Sequence, residues 1–137
     1  MPKSFKHEIK VYYEDTDAGG VVYYANYLKF LERARSEALL DIGLSNIKIK
    51  KDYGLLIVVK SCNIDFNKSA YLEDQLKVNS FITSFSKTSF IMSQSIFRNK
   101  DIIVKSKVHL VFVNDKKKPI KIPEKIFKSL KPFLHGN

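Results

Sequence analysis

The chain is poor in cysteine and contains no long apolar run. Cys62 is the single cysteine among 137 residues, so it forms no internal disulfide and, without nearby histidines, no metal site. That usage favours a reducing compartment. No apolar run approaches the roughly 20 residues needed to span a bilayer, and the opening residues, MPKSFKHEIK, lack the apolar core of a secretory signal. We therefore expect a cytoplasmic protein without a transmembrane segment.

Acidic residues are scarce as well. Asp and Glu number 14 against 24 Lys and Arg, which gives a net charge of +10. Such a surface attracts nucleic acid, anionic lipid or a nucleotide-phosphate cofactor, and charge alone does not choose among them. An apolar fraction of 45%, with 10 Phe and 7 Tyr, excludes a disordered chain. The length fits one domain over residues 1–137.

Hydrophobic periodicity predicts a strand, then a long helix, then four further strands. The first strand is expected from Glu8 to Tyr13, with Tyr13 on its apolar side, because apolar and polar residues alternate there. Helical spacing predicts a helix from Asn26 to Ile42, roughly 25 Å long. Asn26 is expected to be its N-cap and Gly43 its C-cap.

Period-two patterns predict the remaining strands, at residues 55–66, 75–85, 89–98 and 102–113. Their short polar connections imply antiparallel hairpins. The lysine-rich segment 114–137 is expected to contain a short amphipathic helix that begins near Pro123. One sheet wrapped around the long helix is the economical arrangement, and the apolar residues on both faces of strand 55–66 predict that a second subunit covers its outer face.

The least ordinary stretch is residues 14–20, EDTDAGG, just ahead of the long helix. A helix N-terminus presents unpaired N–H groups and a partial positive charge, which suit a developing oxyanion. A carboxylate beside it can attack a carbonyl or activate water, and a thioester suits this pairing because its thiolate leaves without strong acid assistance. Asp17 can equally cap a turn, as aspartates in glycine-rich loops do, and the residues alone leave both readings open.

The other charged residues of the loop and of the long helix are expected to have structural roles. Glu14 and Asp15 are expected to form a turn and a solvated face. Arg35 is expected to form an i,i+3 ion pair with Glu32 on the long helix.

The run from Tyr12 to Arg35, YYEDTDAGGVVYYANYLKFLERAR, resembles the hotdog-fold thioesterases of the 4-hydroxybenzoyl-CoA thioesterase type. Within them it is most similar to the YbgC-like acyl-CoA thioesterases associated with the Tol-Pal envelope system. Weaker resemblance extends through Ala70, Asp74 and Gln94. The resemblance implies an α+β hotdog fold, in which an antiparallel sheet of about five strands wraps around one long helix. It also implies a thioester hydrolase of lipid metabolism that releases a free acid and CoA.

The same resemblance implies that Asp17 is the catalytic carboxylate, acting as nucleophile or as general base on water. It implies that the backbone N–H of Tyr24 lies in the oxyanion hole, at a position that is commonly histidine in the YbgC-like group. The residues expected to bind substrate are Tyr13, Gly19, Gly20, Tyr23 and Tyr24. The resemblance implies no metal and no cofactor, since coenzyme A is part of the substrate.

For assembly, the resemblance implies a homodimer, which can pair again into a homotetramer. We expect the active site at the subunit seam. Acyl carrier protein and phospholipid-synthesis enzymes are candidate partners, and no nucleic acid is expected.

Two other functions are weighed against the thioesterase. A hotdog hydratase or dehydratase would need a histidine and an aspartate in the loop, and no histidine lies between His7 and His109. A non-catalytic basic module would bind acyl carrier protein, anionic lipid or nucleic acid instead of turning over a substrate. Acyl-chain length and aromatic or aliphatic preference depend on the shape of a pocket and are not predicted.

Overall fold

The computed structural model describes residues 2–136 and contains five strands and three α-helices in that range. In chain order these are β1 (Phe5–Lys10), α1 (Asn26–Asp41), α2 (Asn46–Tyr53), β2 (Leu56–Phe66), β3 (Gln75–Phe85), β4 (Ser89–Arg98), β5 (Asp101–Val113) and α3 (Glu124–Leu130). Short 3-10 turns lie at Tyr13–Asp15 and Lys131–Phe133.

All strands join one antiparallel sheet in the order β1-β3-β4-β5-β2. Register shifts interrupt three of the strand pairs, and such bulges bend a strand and increase its twist. The helix α1 packs against one face through Phe30 and Leu31, which are fully buried. The predicted α+β hotdog arrangement, with one antiparallel sheet around one long helix, is confirmed.

The core has two hydrophobic clusters, one under each half of α1. The first half contributes Tyr27 and Phe30, which pack with residues of β3, β4 and β5. The second half contributes Ala38 and Leu39, which pack with Phe90 of β4 and with α3. The buried residues of α1 therefore contribute to both clusters.

Strands β2 to β5 lie where the alternation predicted them, to within one residue at each end. The predicted terminal helix is α3, which begins directly after Pro123. No helix within residues 2–136 has the length and apolar character needed to cross a membrane.

The first strand differs from its prediction. It spans Phe5–Lys10, and the chain then leaves the strand and winds into the 3-10 turn Tyr13–Asp15, because the Asp15 carboxylate accepts the Tyr12 N–H at 2.9 Å. Tyr13 is 81% exposed, so the prediction that it lies on the apolar side of a strand was wrong.

The ends of α1 also differ from their predictions. Ala25 precedes the helix and Asn26 is its first residue, so the prediction of Asn26 as N-cap was wrong. At the other end Ile42 is the cap residue, and Gly43 follows it with φ +79°, a left-handed conformation that glycine adopts without a Cβ penalty.

Helix α2 had no sequence prediction. Its sequence, NIKIKKDY, buries only Ile49, so it carries no apolar stripe. Ser45 caps it by accepting the Lys48 N–H at 2.9 Å, and Gly54 ends it with φ +68°.

Candidate active site

Asp15 connects the loop before α1 to the start of the helix. Its Oδ1 accepts the Asn26 side-chain amide at 2.6 Å, and its Oδ2 accepts the Tyr12 N–H at 2.9 Å. Its carbonyl accepts the Tyr23 N–H at 3.1 Å. Asp15 is 4% exposed, so the expectation that it belongs to a solvated face was wrong. The bonds to Tyr12 and Tyr23 join the two ends of the loop, and the bond to Asn26 ties the loop to the first residue of α1.

Asp17 lies at the tip of that loop. Its Oδ1 accepts the N–H groups of Gly19 at 2.9 Å and Val21 at 3.4 Å, and its backbone pairs with Val21 and Gly20. One carboxylate oxygen thus caps a turn, as the plainer interpretation proposed. The other, Oδ2, has no hydrogen-bond partner within residues 2–136, and the side chain is exposed in the single chain.

The two glycines of the loop have different roles. Gly20 has φ +80°, which closes the turn in a conformation that L side chains rarely adopt. A Cβ on Gly19 would lie 3.4 Å from Asp17 Oδ1, in ordinary van der Waals contact with the carboxylate. Gly20 is therefore required by the backbone of the turn, and Gly19 lies directly against the Asp17 carboxylate.

The start of α1 offers free backbone donors. The carbonyl of Tyr23 accepts the Asn26 N–H at 2.8 Å, and the carbonyl of Tyr24 accepts the Tyr27 N–H at 3.3 Å. The N–H groups of Tyr24 and Ala25 themselves donate to no acceptor in the described part of the chain. They lie at the positive end of the helix dipole, where an anionic oxygen is stabilised.

Exposed aromatic rings surround the loop and the helix start. Tyr23 and Tyr24 lie with ring centroids 4.9 Å apart, and Tyr24 meets Phe66 edge-on at 6.0 Å. The neighbouring Tyr24 hydroxyl raises the pKa of the Tyr23 hydroxyl. The exposed rings of this group are Tyr12, Tyr13, Tyr23, Tyr24, Phe66 and Tyr71. A concentration of exposed aromatic surface is typical of a ligand or partner site.

Tyr27 links the start of α1 to the residues at and after the end of β2. Its hydroxyl accepts the Ala70 N–H at 3.0 Å, and its ring lies 5.8 Å from that of Phe66. Burial raises the pKa of this hydroxyl. The end of β2 and the start of α1 are therefore held together at the loop.

Arg35 does not pair with Glu32, so that prediction was wrong. The Glu32 carboxylate accepts the Ser36 hydroxyl at 2.6 Å, while Arg35 donates to Gln94 Oε1 at 2.9 Å. Burial lowers the pKa of Arg35, and the charge of Glu32 opposes that effect. Gln94 is fully buried and also donates to the Leu31 carbonyl at 3.1 Å. Its signal in the sequence is a polar residue in line with the apolar Phe90, Met92 and Ile96 on the buried face of β4.

The site thus combines the unpaired Oδ2 of Asp17, the unpaired N–H groups of Tyr24 and Ala25, and a group of exposed aromatic rings, all within residues 2–136. Of the residues expected to bind substrate, Gly19 and Gly20 lie in the Asp17 turn, and Tyr23 and Tyr24 lie at the start of α1. Tyr13 lies in the turn just before Asp15, with its ring in solvent. No three His, Cys, Asp or Glu side chains between residues 2 and 136 gather as a metal-ligand set.

Comparison with known proteins gives one consistent result. The profile of the Thioesterase-like superfamily matches residues 11–130. The chain is 35% identical over 127 residues to the acyl-CoA thioesterase YbgC of Haemophilus influenzae, covering 92% of this chain and 93% of that protein. It is 37% identical over 131 residues to the acyl-CoA thioesterase YbgC of Helicobacter pylori, covering 88% and 95%.

The fold agrees with this result. The crystal structure of a probable thioesterase from Bartonella henselae superposes with a TM-score of 0.85 at 33% identity, covering 88% of this chain and 100% of that one. The family match over residues 11–130 includes the Asp17 loop, α1 and strands β2 to β5.

Proposed function

Because the chain belongs to the thioesterase-like superfamily, in its YbgC-like hotdog group, we propose that it hydrolyses acyl-CoA thioesters to a free acid and CoA. The observation that carries the proposal is one arrangement at the loop. Asp17 keeps one carboxylate oxygen free, and the N–H groups of Tyr24 and Ala25, at the start of α1, have no acceptor among residues 2–136.

In the proposed reaction the thioester carbonyl oxygen binds at the N–H groups of Tyr24 and Ala25. The developing oxyanion is stabilised there by the two donors and by the helix dipole. Oδ2 of Asp17 either takes a proton from water, which attacks the carbonyl carbon, or attacks that carbon itself. In the second case a mixed anhydride forms, and water then hydrolyses it. In both, the C–S bond breaks and CoA leaves as a thiolate.

The proposed enzyme is a homodimer that pairs through β2. This strand is at the edge of the sheet, so the backbone groups on its outer side are free to pair with another strand. It also exposes apolar side chains, at Leu56, Val58, Val59 and Phe66. A second copy that adds its own β2 in antiparallel fashion would cover them about a two-fold axis. Further pairing into a tetramer, a cytoplasmic location and a link to Tol-Pal or phospholipid synthesis stay predictions from the resemblance.

The proposal is tested by thiol release from a panel of acyl-CoAs, with straight chains from acetyl to palmitoyl and benzoyl as the aromatic member. We expect turnover of at least one class and its loss in Asp17→Asn. A wild type that is inactive toward the whole panel would contradict the enzyme. If the inactive protein bound anionic vesicles or nucleic acid with steep salt dependence, it would be the basic binding module instead.

A further inference from the structure

The segment that connects β2 to β3 supports the loop that contains Asp17. This support segment, residues 67–74, pairs in antiparallel fashion with residues 20–22 of the loop. Two backbone hydrogen bonds of 2.9 Å join them, from the Val22 N–H to the Ala70 carbonyl and from the Leu72 N–H to the Gly20 carbonyl. The arm of the loop that follows Asp17 is therefore held by the support segment.

Val21 lies between the support segment and Asp17. On one side it forms an antiparallel bridge with Tyr71. On the other side its carbonyl accepts the Asp17 N–H at 2.9 Å, and its own N–H donates to Asp17 Oδ1 at 3.4 Å. Because one residue contacts both, a shift of the support segment moves the Asp17 carboxylate as well.

Arg98, the last residue of β4, holds the support segment at two points. Its Nη1 donates to the Ser69 carbonyl at 3.0 Å and to Asp74 Oδ2 at 2.8 Å. The same Asp74 oxygen accepts the Tyr71 N–H at 2.8 Å, and the Arg98 guanidinium lies 5.7 Å from the centroid of the Tyr71 ring. The two side chains of the ion pair are only 24% and 22% exposed, so solvent and salt screen it less than a pair on the surface.

We propose that Arg98 is a positioning residue for the reaction: it holds the support segment and, through Val21, sets where the Asp17 carboxylate lies relative to the free N–H groups at the start of α1. The inference rests on the proposed function. Arg98 does not bind substrate in this role, because its charge is paired with Asp74. The residues before Asp17 are tied to α1 separately, through Asp15.

Replacing Arg98 should lower kcat and leave KM nearly unchanged. Arg98→Met removes the charge and both hydrogen bonds but keeps most of the aliphatic bulk. We expect kcat for the acyl-CoA that the wild type hydrolyses fastest to fall about 10- to 100-fold, since a misplacement of about 1 Å at a reacting group can cost 10²-fold. Lys100→Met, which removes an exposed positive charge two residues later, is the matched control and should keep both constants. Arg98→Lys keeps a charge that can reach Asp74 and should recover part of kcat.

Hydrogen exchange separates local positioning from general loss of stability. In Arg98→Met the N–H groups of Val22 and Leu72, which bond across the contact with the support segment, should exchange faster. The N–H of Asn26, at the start of α1, should keep its wild-type rate. Turnover is referred to the folded fraction, so that unfolded protein does not count as a loss of kcat.

A milder variant covers a failure of Arg98→Met to fold. Asp74→Asn removes only the charge of the pair and keeps an oxygen for the Tyr71 N–H, so it should lower kcat in the same direction by a smaller factor.

The outcomes distinguish this inference from the proposed function. A folded Arg98→Met with wild-type kcat, from an active wild type, would overturn the positioning role and leave the function intact. A higher KM with unchanged kcat would overturn it too, because Arg98 would then bind substrate. If the wild type were inactive on every acyl-CoA, the proposed function would fail, and the exchange rates of Val22 and Leu72 would still decide whether Arg98 holds the loop.

Discussion

The carboxylate of Asp15 and the side-chain amide of Asn26 form a buried hydrogen bond of 2.6 Å between the Asp17 loop and the first turn of α1. The bond determines where the tip of the loop lies relative to the free amides of the helix start. We therefore expect Asp15 to position the loop and Asp17, whose Oδ2 has no hydrogen-bond partner within residues 2–136, to be the carboxylate that meets substrate.

Reversing the polarity of this pair tests its role. Asn26→Asp sets two carboxylates against each other in a buried site and should destabilise the fold by about 2 to 4 kcal/mol. Asp15→Asn should cost much less, because the Asn26 amide can turn over and present its oxygen. The double variant Asp15→Asn, Asn26→Asp should recover most of the loss, as measured by urea unfolding. Equal stability of Asn26→Asp and wild type would show that the pair does not fix the loop.

The backbone donor at the start of α1 can be removed without removing the helix. Tyr24 is the first central residue of the turn closed by the bond from Asn26 N to Tyr23 O, a position that tolerates proline. Tyr24→Pro deletes the N–H, whereas Tyr24→Ala deletes only the ring. We expect kcat to fall about 10²- to 10³-fold in Tyr24→Pro, as for other oxyanion-hole donors, with a much smaller change in Tyr24→Ala. Equal effects of the two substitutions would assign the role to the side chain.

Alkaline stability depends on Tyr27. Because burial raises its pKa, the folded state holds the hydroxyl proton more tightly than the unfolded state. Stability from this group is thus complete below pH 10, the ordinary tyrosine value, and is lost as the pH rises above it. Tyr27→Phe should remove that part of the pH dependence and cost about 1 to 2 kcal/mol at neutral pH, since the Ala70 N–H loses its acceptor. Unfolding midpoints between pH 7 and about pH 11 measure both effects. An unchanged alkaline slope in Tyr27→Phe would refute this assignment.

From the position of β2 at the edge of the sheet we predict that two copies of the chain pair through this strand. Val58 is 39% exposed on it, and a charge there should block pairing with a second copy. We expect the wild type to sediment as a dimer or larger and Val58→Lys as a monomer. Ile47→Lys, at an exposed position on α2, is the control and should assemble like the wild type. A dimeric Val58→Lys would exclude this edge as the interface.

Alternation and helical spacing were sufficient to predict α1, β3, β4 and β5, because the core dominates one face of each of these elements. They also located β2, where Ile57, Cys62 and Ile64 are only partly buried against the core. They failed where a tertiary contact decides the local structure. Tyr13 continues the alternation of β1, but Asp15 draws the chain into a turn by accepting the Tyr12 N–H. Helix α2 buries only Ile49 and so has no periodic signal.

The candidate site was likewise predictable only where a local sequence pattern marks it. The Asp17 loop could be located from its carboxylates and glycines ahead of a helix, and its role came from the resemblance. The burial of Asp15 and the bond from Arg35 to Gln94 depend on residues 11 and 59 positions apart in the chain. No local pattern encodes pairings of that separation.

Whether the Asp17 carboxylate acts on the thioester is measured by kcat/KM for thiol release by Asp17→Asn. Asparagine keeps an oxygen for the Gly19 N–H and so preserves the turn, while the charge and the basic oxygen are lost. Glu14→Gln removes an exposed carboxylate from the same loop as the control. We predict a loss of at least about 10²-fold in Asp17→Asn and near-wild-type turnover in Glu14→Gln. Wild-type turnover in a folded Asp17→Asn would exclude Asp17 as the catalytic carboxylate.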